Sequence, residues 1–274
     1  MAFLDVINGI IERGSNFDGR MVHMGEDGLL YCNECNARRQ TRIDLLGQER
    51  IVPVMCDCMR AEEERAKKRE FDKRVRQLRE NGLREEADAL CTFAADDRKN
   101  PTISDAVKRY ADQWETMRRD NTGLLLYGPV GTGKTFYSAC IANALIDRGI
   151  PVMMTNFARI VDDLQSDFGG RADYLRKLNS YPLLIIDDLG IERNSEYMQE
   201  QVYNIVDARY ASERPLIVTT NISLEEIKNP GSEQRRRIYD RILEMCHPIK
   251  VDGQSRRRQA VRDKYAERNR LLGL

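Results

Sequence analysis

The densest chemical signal in the chain is Gly128-Pro129-Val130-Gly131-Thr132-Gly133-Lys134-Thr135. It follows an apolar run, residues 124–127, and opens a segment of helical composition, residues 136–146. Strand, glycine-rich loop and helix in that order are what the G-x-x-x-x-G-K-T phosphate-binding pattern requires. Its glycines let successive backbone N–H groups close around phosphate oxygens, and the helix N-terminus favours the anion. Lys134 is expected to reach the β- and γ-phosphates, and Thr135 to hold Mg²⁺ through its hydroxyl. A glycine turn of purely structural use is the bland alternative, and the complete motif in its proper setting argues against it.

Other residues must meet this loop if it does more than bind. The run Leu183-Leu184-Ile185-Ile186-Asp187-Asp188 ends in two carboxylates, and Leu216-Ile217-Val218-Thr219-Thr220-Asn221 ends in polar residues. Both read as buried strands. Residues 152–155 form another short strand and 157–168 a helix, after an amphipathic helix over 102–119. Strands that are continuous apolar runs alternating with helices indicate a parallel sheet covered on both faces. Ligands of such sheets sit beyond the carboxyl ends of the strands, so these polar ends should converge on the loop. Asp187 then suits the Mg²⁺ shell and Asp188 the attacking water, with a helix N-cap as the alternative for Asp188. Asn221 suits the γ-phosphate or that water, against an ordinary turn residue. Hydrolysis also needs a cation near the γ-phosphate, and arginines crowd residues 234–243 and 253–258.

Seven cysteines, an odd number, occur without a recognisable leader. This pattern points to a reducing compartment and to metal or free thiols. Cys32 and Cys35 precede Cys56 and Cys58 by a spacing that zinc modules use, with strands expected at 41–46 and 50–55 between them. Four thiolates brought together by a hairpin form the tetrahedron a structural Zn²⁺ prefers. The second pair is C-x-C rather than C-x-x-C. His23 is an alternative ligand, although a strand surface suits it better; a redox pair is the competing chemistry and a set of free cysteines the bland alternative. Cys91, Cys140 and Cys246 stand alone and are expected in the core.

Lys plus Arg balance Asp plus Glu at 44 each, so any nucleic-acid affinity must come from local patches. No apolar run approaches the ~18 residues of a membrane span, and no membrane partner is expected. A short apolar helix over residues 3–11 suits either packing on its own domain or docking to a partner. Residues 59–90 are dense in Glu, Arg and Lys and read as one or two exposed helices with (i, i+4) pairs such as Glu63–Lys67. The division expected is a zinc-binding module over 1–60, a charged helical linker over 61–91, and an α/β domain over 92–274.

Taken in order, GPVGTGKT, LLIIDDLG, IVTTN, RRRIYDRI and the late GQSRR resemble the DnaC/DnaI group of AAA+ ATPases. The transposition helpers of the IstB type share that domain, and the resemblance covers about residue 92 to the C-terminus. It implies an AAA+ P-loop fold with a parallel five-stranded sheet, ATP with Mg²⁺ as cofactors, and self-association through the AAA+ domains. It further implies a loader that binds a replicative hexameric DNA helicase and delivers it onto single-stranded DNA in the bacterial cytoplasm, host- or phage-encoded, with the N-terminal zinc module gripping the helicase. By motif, Asp187 and Asp188 become the Walker B pair and Asn221 sensor 1. Arg241 matches the arginine finger acting in trans, with Arg237 as second choice. Arg256 matches the sensor 2 arginine, with Arg257 close behind. Asp188 stands where most AAA+ proteins carry Glu, which suits slow hydrolysis, and no full helical lid is expected, which suits a loader rather than a processive motor. The alternatives are an IstB-like transposition ATPase on duplex DNA and a zinc-dependent nucleic-acid binder with a regulatory nucleotide site.

Overall fold

The computed structural model describes residues 22–83, 85–166, 171–190 and 196–273. The helix expected at residues 3–11 lies outside them. The chain divides into two compact units, Met1–Lys73 and Arg74–Leu274.

The first unit is built from two hairpins. Strands β1 (Val22–Met24) and β2 (Leu30–Cys32) pair antiparallel, as do β3 (Gln40–Leu45) and β4 (Gln48–Pro53). The second hairpin closes on Leu46 and Gly47, both at positive φ (57° and 78°), the two-residue turn whose twist matches the strands. Asp44 accepts the Gly47 N–H at 2.8 Å and fixes that turn. Little apolar surface is buried here: Leu29, Cys32 and Cys56 are enclosed, whereas Met24, Ile43, Ile51 and Met55 face solvent. So small a core needs a further source of stability.

Helix α1 (Asp57–Gly82) starts in this unit and ends in the second. Its exposed face carries ion pairs such as Lys67–Glu63 at 2.6 Å and Arg69–Glu62 at 2.7 Å, which solvent screens and which add little to stability. The charged connector is therefore one helix, followed by a 3-10 turn over Glu86–Leu90. Val75 and Leu78 from its thin apolar stripe pack on the core of the second unit.

That second unit is a five-stranded, all-parallel sheet in the order β6-β7-β8-β5-β9. Its strands are β5 (Gly123–Tyr127), β6 (Val152–Asn156), β7 (Leu183–Leu189), β8 (Leu216–Thr220) and β9 (Cys246–Lys250). Side chains alternate between the faces. Leu124, Leu126, Ile185 and Ile217 join one core with α2 (Pro101–Asp112), α3 (Trp114–Arg119) and α4 (Lys134–Ile146). Leu125, Leu184, Ile186 and Val218 join the other, beneath α5 (Phe157–Ser166), α6 (Arg171–Ser180), α7 (Glu196–Ala211) and α9 (Glu233–Met245). The short helix α8 (Leu224–Lys228) precedes α9, and α10 (Arg256–Leu272) ends the described chain. The α/β class and the parallel sheet match the expectation from the apolar runs.

Two local readings change, and one strand of the sheet is new. The single helix over 102–119 breaks at Gln113, which lets Trp114 turn fully into the core against Tyr110. The helix over 157–168 is described to Ser166, and a second one, α6, follows at Arg171. Strand β9 is short and contains Pro248, which weakens its pattern as a strand; it lies at the sheet edge, where proline is tolerated. Cys140 and Cys246 are buried as expected, while Cys91 is half-buried.

One buried cation serves the scaffold. Arg209 on α7 is fully enclosed and donates to the carbonyls of Tyr181 (3.0 Å), Pro182 (3.1 Å) and Pro215 (2.6 Å). It thereby ties together the starts of β7 and β8. Burial, with help from Arg214, pushes its guanidinium down to about 9, which leaves it charged at neutral pH. Among the described residues no helix is long and apolar enough to cross a membrane.

Candidate nucleotide site and cysteine cluster

The phosphate loop leaves β5 at Tyr127 and enters α4 at Lys134. Gly128, Gly131 and Gly133 hold φ of 144°, 84° and 104°, which L side chains rarely adopt. The glycines also admit a second segment. A Cβ on Gly128 would lie 2.3 Å from the Val251 carbonyl oxygen, and one on Gly131 2.2 Å from Ser255 Oγ. The loop is thus braced from outside by residues 251–256, with Val251 N–H bonded to Tyr127 O and Arg256 N–H to Gly131 O, both at 2.8 Å. Pro129, Val130 and Thr132 complete the loop, Thr132 bonding the Pro129 carbonyl at 2.9 Å.

Lys134 is buried, and its ammonium donates to Gly128 O and Pro129 O at 2.9 Å and to Asn221 Oδ1 at 2.7 Å. Asn221, at the end of β8, therefore meets the loop as its position in the sequence suggested. Thr135 Oγ1 lies 3.0 and 3.1 Å from the two carboxylate oxygens of Asp187. A hydroxyl and a buried carboxylate in contact form a hard-oxygen pair suited to Mg²⁺, which takes its remaining ligands from water and phosphate.

Asp188 is presented by a β-bulge. Ile186 pairs with Val218 and Leu189 with Thr220, so β7 carries one residue more than β8 between those pairs. Asp188 takes φ 59° there, a conformation Asp tolerates better than most residues. Its half-buried side chain is thereby set apart from that of Asp187. Thr219 holds the arrangement: its hydroxyl donates to Asp187 Oδ1 at 2.5 Å and accepts the Asp188 N–H at 2.9 Å. Sequence reasoning missed Thr219. A threonine near the end of an apolar parallel strand, two residues before Asn221, was the available signal.

The arginines divide differently. Arg241 reaches Asp207 at 3.4 Å and Glu244 at 3.7 Å, with its guanidinium 4.1 Å over the Tyr210 ring. These partners lie on α7 and on its own helix, not on the phosphate loop. Arg237 pairs with Glu233 at 4.0 Å on the surface. Arg256 does adjoin the loop, but its guanidinium faces Asp97 (2.9 Å), Asp96 (3.7 Å) and the Tyr137 hydroxyl (3.3 Å). The side chain of Arg257 lies outside the described residues.

In the first unit, Cys32, Cys35, Cys56 and Cys58 bring their sulfurs within 4.8 Å of one another. Cys58 Sγ stands 3.3 Å from Cys32, 3.1 Å from Cys56 and 3.5 Å from Cys35. Thiolates bound to one Zn²⁺ at ~2.3 Å are separated by about 3.8 Å, so the cluster brackets that geometry and fits the ion. The backbone N–H groups of Cys35 and then Glu34 lower the Cys32 thiol to about 6, favouring the thiolate a metal needs. Hydrogen bonds to Cys56, then Cys32 and Cys35, raise the Cys58 thiol by favouring its protonated form. His23 bonds Asn33 at 2.8 Å on the surface and is not part of the cluster.

A parallel five-stranded sheet with a braced phosphate loop, a carboxylate pair on the next strand but one, and a polar sensor on the strand between defines an AAA+ type P-loop nucleotide-binding domain. Residues 58–264 match the model of the IstB-like ATP binding proteins, and the chain belongs to that family. It is 28% identical over 167 residues to the replicative helicase loader DnaI of Bacillus subtilis, covering 57% of this chain and 52% of that protein. It is also 28% identical over 141 residues to an ATP-binding protein in an insertion sequence of Mycobacterium tuberculosis, covering 49% and 55%. The crystal structure of the DnaC helicase loader superposes with a TM-score of 0.53 at 21% identity, covering 61% of this chain and 100% of that one. The chain thus spans about half the length of the curated relatives it matches.

Proposed function

We propose that this protein is an ATP-switched loader that binds a replicative hexameric helicase and delivers it onto single-stranded DNA in the bacterial cytoplasm. The observation that carries the reading is the junction of Lys134, Asn221, Thr135 and Asp187 at the ends of three strands, in a chain that is similar to a replicative helicase loader. In this reading residues 92–274 are the ATPase domain, residues 61–91 the linker, and residues 1–60 the zinc-binding, helicase-gripping module. Lys134 and the loop residues from Gly128 to Thr135 bind the triphosphate. Thr135 and Asp187 hold Mg²⁺, Asp188 activates water, and Asn221 reports on the γ-phosphate. Cys32, Cys35, Cys56 and Cys58 hold a structural zinc that stabilises a unit with little core.

Arg241, which matches the arginine finger by its RRRIYDRI motif and pairs with Asp207 and Glu244 away from its own phosphate loop, is assigned to a neighbouring subunit's ATP. That assignment makes the active form an assembly of several copies. Hydrolysis, with the shorter Asp188 in place of glutamate, serves as a slow timing step. Native mass measurement of the chain mixed with purified replicative helicases tests the reading. An ATP-dependent complex is expected, and its absence with every helicase tried counts against the loader.

The similarity to an insertion-sequence ATP-binding protein supports a second reading, a transposition ATPase acting on duplex DNA. Tight ATP-dependent binding to duplex without helicase association would favour it.

A further inference from the structure

Arg256 sits where three segments meet. Its backbone N–H bonds Gly131 O of the phosphate loop at 2.8 Å, and Asn100 bonds the Asp252 carbonyl at 3.1 Å, four residues upstream of it. Its guanidinium contacts Asp97 at 2.9 Å, Asp96 at 3.7 Å and the Tyr137 hydroxyl at 3.3 Å. It also lies 5.4 Å from the Phe136 ring centre and 5.6 Å from that of Tyr137. Phe136 and Tyr137 directly follow Lys134 and Thr135 on the first turn of α4. The Asp96 carboxylate is 3% exposed, and the Arg256 side chain 26%. A planar fork shared by two carboxylates, a phenol and two ring faces is held in one orientation. Swinging it onto a phosphate would break the Asp97 pair and strip the buried Asp96 of its facing charge, which is unfavourable.

We infer that Arg256 is a positioning residue: it latches residues 96–97 to the first turn of the phosphate-loop helix, and it affects nucleotide binding through the loop rather than by touching a phosphate. The inference rests on the nucleotide reading of the site. It differs from what the family resemblance implies for this arginine.

Calorimetric titration of the full chain with ATP and with ADP separates the two roles. The latch predicts that Arg256→Ala weakens both nucleotides alike, by about tenfold, leaving their ratio unchanged. Asp97→Asn should do the same, and the double variant should be no worse than Arg256→Ala. Amide exchange over residues 92–100 should quicken in Arg256→Ala without any nucleotide, an effect that loss of a phosphate ligand cannot produce. Selective loss of ATP over ADP, with Asp97→Asn neutral, overturns the latch and leaves the nucleotide site standing. Should Arg256→Ala not fold, Arg256→Lys serves, since lysine keeps the charge but not the fork. Equal weakening of ATP and ADP with faster exchange supports the latch, and selective loss of ATP with unchanged exchange overturns it. A wild type that binds neither nucleotide overturns the site reading and the latch together.

Discussion

Thr219 donates its hydroxyl proton to Asp187 Oδ1 at 2.5 Å and accepts the Asp188 N–H at 2.9 Å, so one buried hydroxyl holds the Asp187 carboxylate and the Asp188 backbone of the neighbouring strand. Replacing it with the isosteric Thr219→Val leaves a buried carboxylate and an amide each short of a partner. The expected loss is about 1–3 kcal/mol of stability, read as a lowered midpoint in urea. Mg²⁺-dependent ATP affinity should fall, while Mg²⁺-free binding should change little. Equal Mg²⁺ dependence in variant and wild type would remove Thr219 from the metal-orienting role.

Asp188→Asn keeps the positive-φ bulge, because asparagine also tolerates that conformation. It removes the base of the proposed reading while leaving the fold. Nucleotide affinity is expected within a few-fold of the wild type, and the single-turnover hydrolysis rate lower by about 10²–10⁴. An unchanged rate would assign Asp188 to the bulge alone.

Gly131→Ala forces a Cβ to 2.2 Å from Ser255 Oγ at a φ of 84°. Weaker ATP binding and a lower melting temperature should follow, with strain of order 1–3 kcal/mol. Ser255→Ala in the same chain should recover part of both, since it removes the atom met first. No recovery would place the whole effect in the backbone strain.

Zinc content by metal analysis should be one ion per chain, and Cys56→Ser should abolish most of it. Chelation should expose residues 22–56 to amide exchange, because the first unit buries so few apolar side chains. The Cys32 thiol, lowered to about 6, is a thiolate above that pH and takes up a proton below it. Metal and proton compete for the same sulfur, so zinc is retained at neutral pH and lost only on acidification below the pH at which the metal-free thiol titrates. Full zinc content in Cys56→Ser would exclude Cys56 from the ligand set.

Arg209→Lys keeps a charge but cannot span the carbonyls of Tyr181, Pro182 and Pro215. Unfolding monitored by circular dichroism should show a loss of about 3 kcal/mol, roughly 10 °C in Tm. An unchanged melting temperature would show that water replaces the fork at no cost.

Much of the site was legible in the sequence because it lies at strand ends, where apolar runs give way to polar residues. The loop, Asp187, Asn221 and the two cysteine pairs declare themselves by local spacing, and the structure brings the residues of each set together. What the sequence does not carry is contact between distant segments. Thr219 reads as an ordinary strand threonine until β7 and β8 pair with a bulge between them. Arg256 reads as the sensor 2 arginine until Asp96 and Asp97, some 160 residues earlier, fold against it. Gly131 has the same lesson: its local motif explains the phosphate loop but not the need to admit Ser255.

The most direct test of the loader account is an unwinding assay on a forked duplex whose single strand is coated with a single-strand binding protein, with the partner replicative helicase present. The account predicts that this chain stimulates unwinding in the presence of ATP and that Lys134→Ala, which removes the ammonium from Gly128, Pro129 and Asn221, does not. Equal stimulation by the Lys134→Ala variant, or none by the wild type with a helicase it binds, would contradict it.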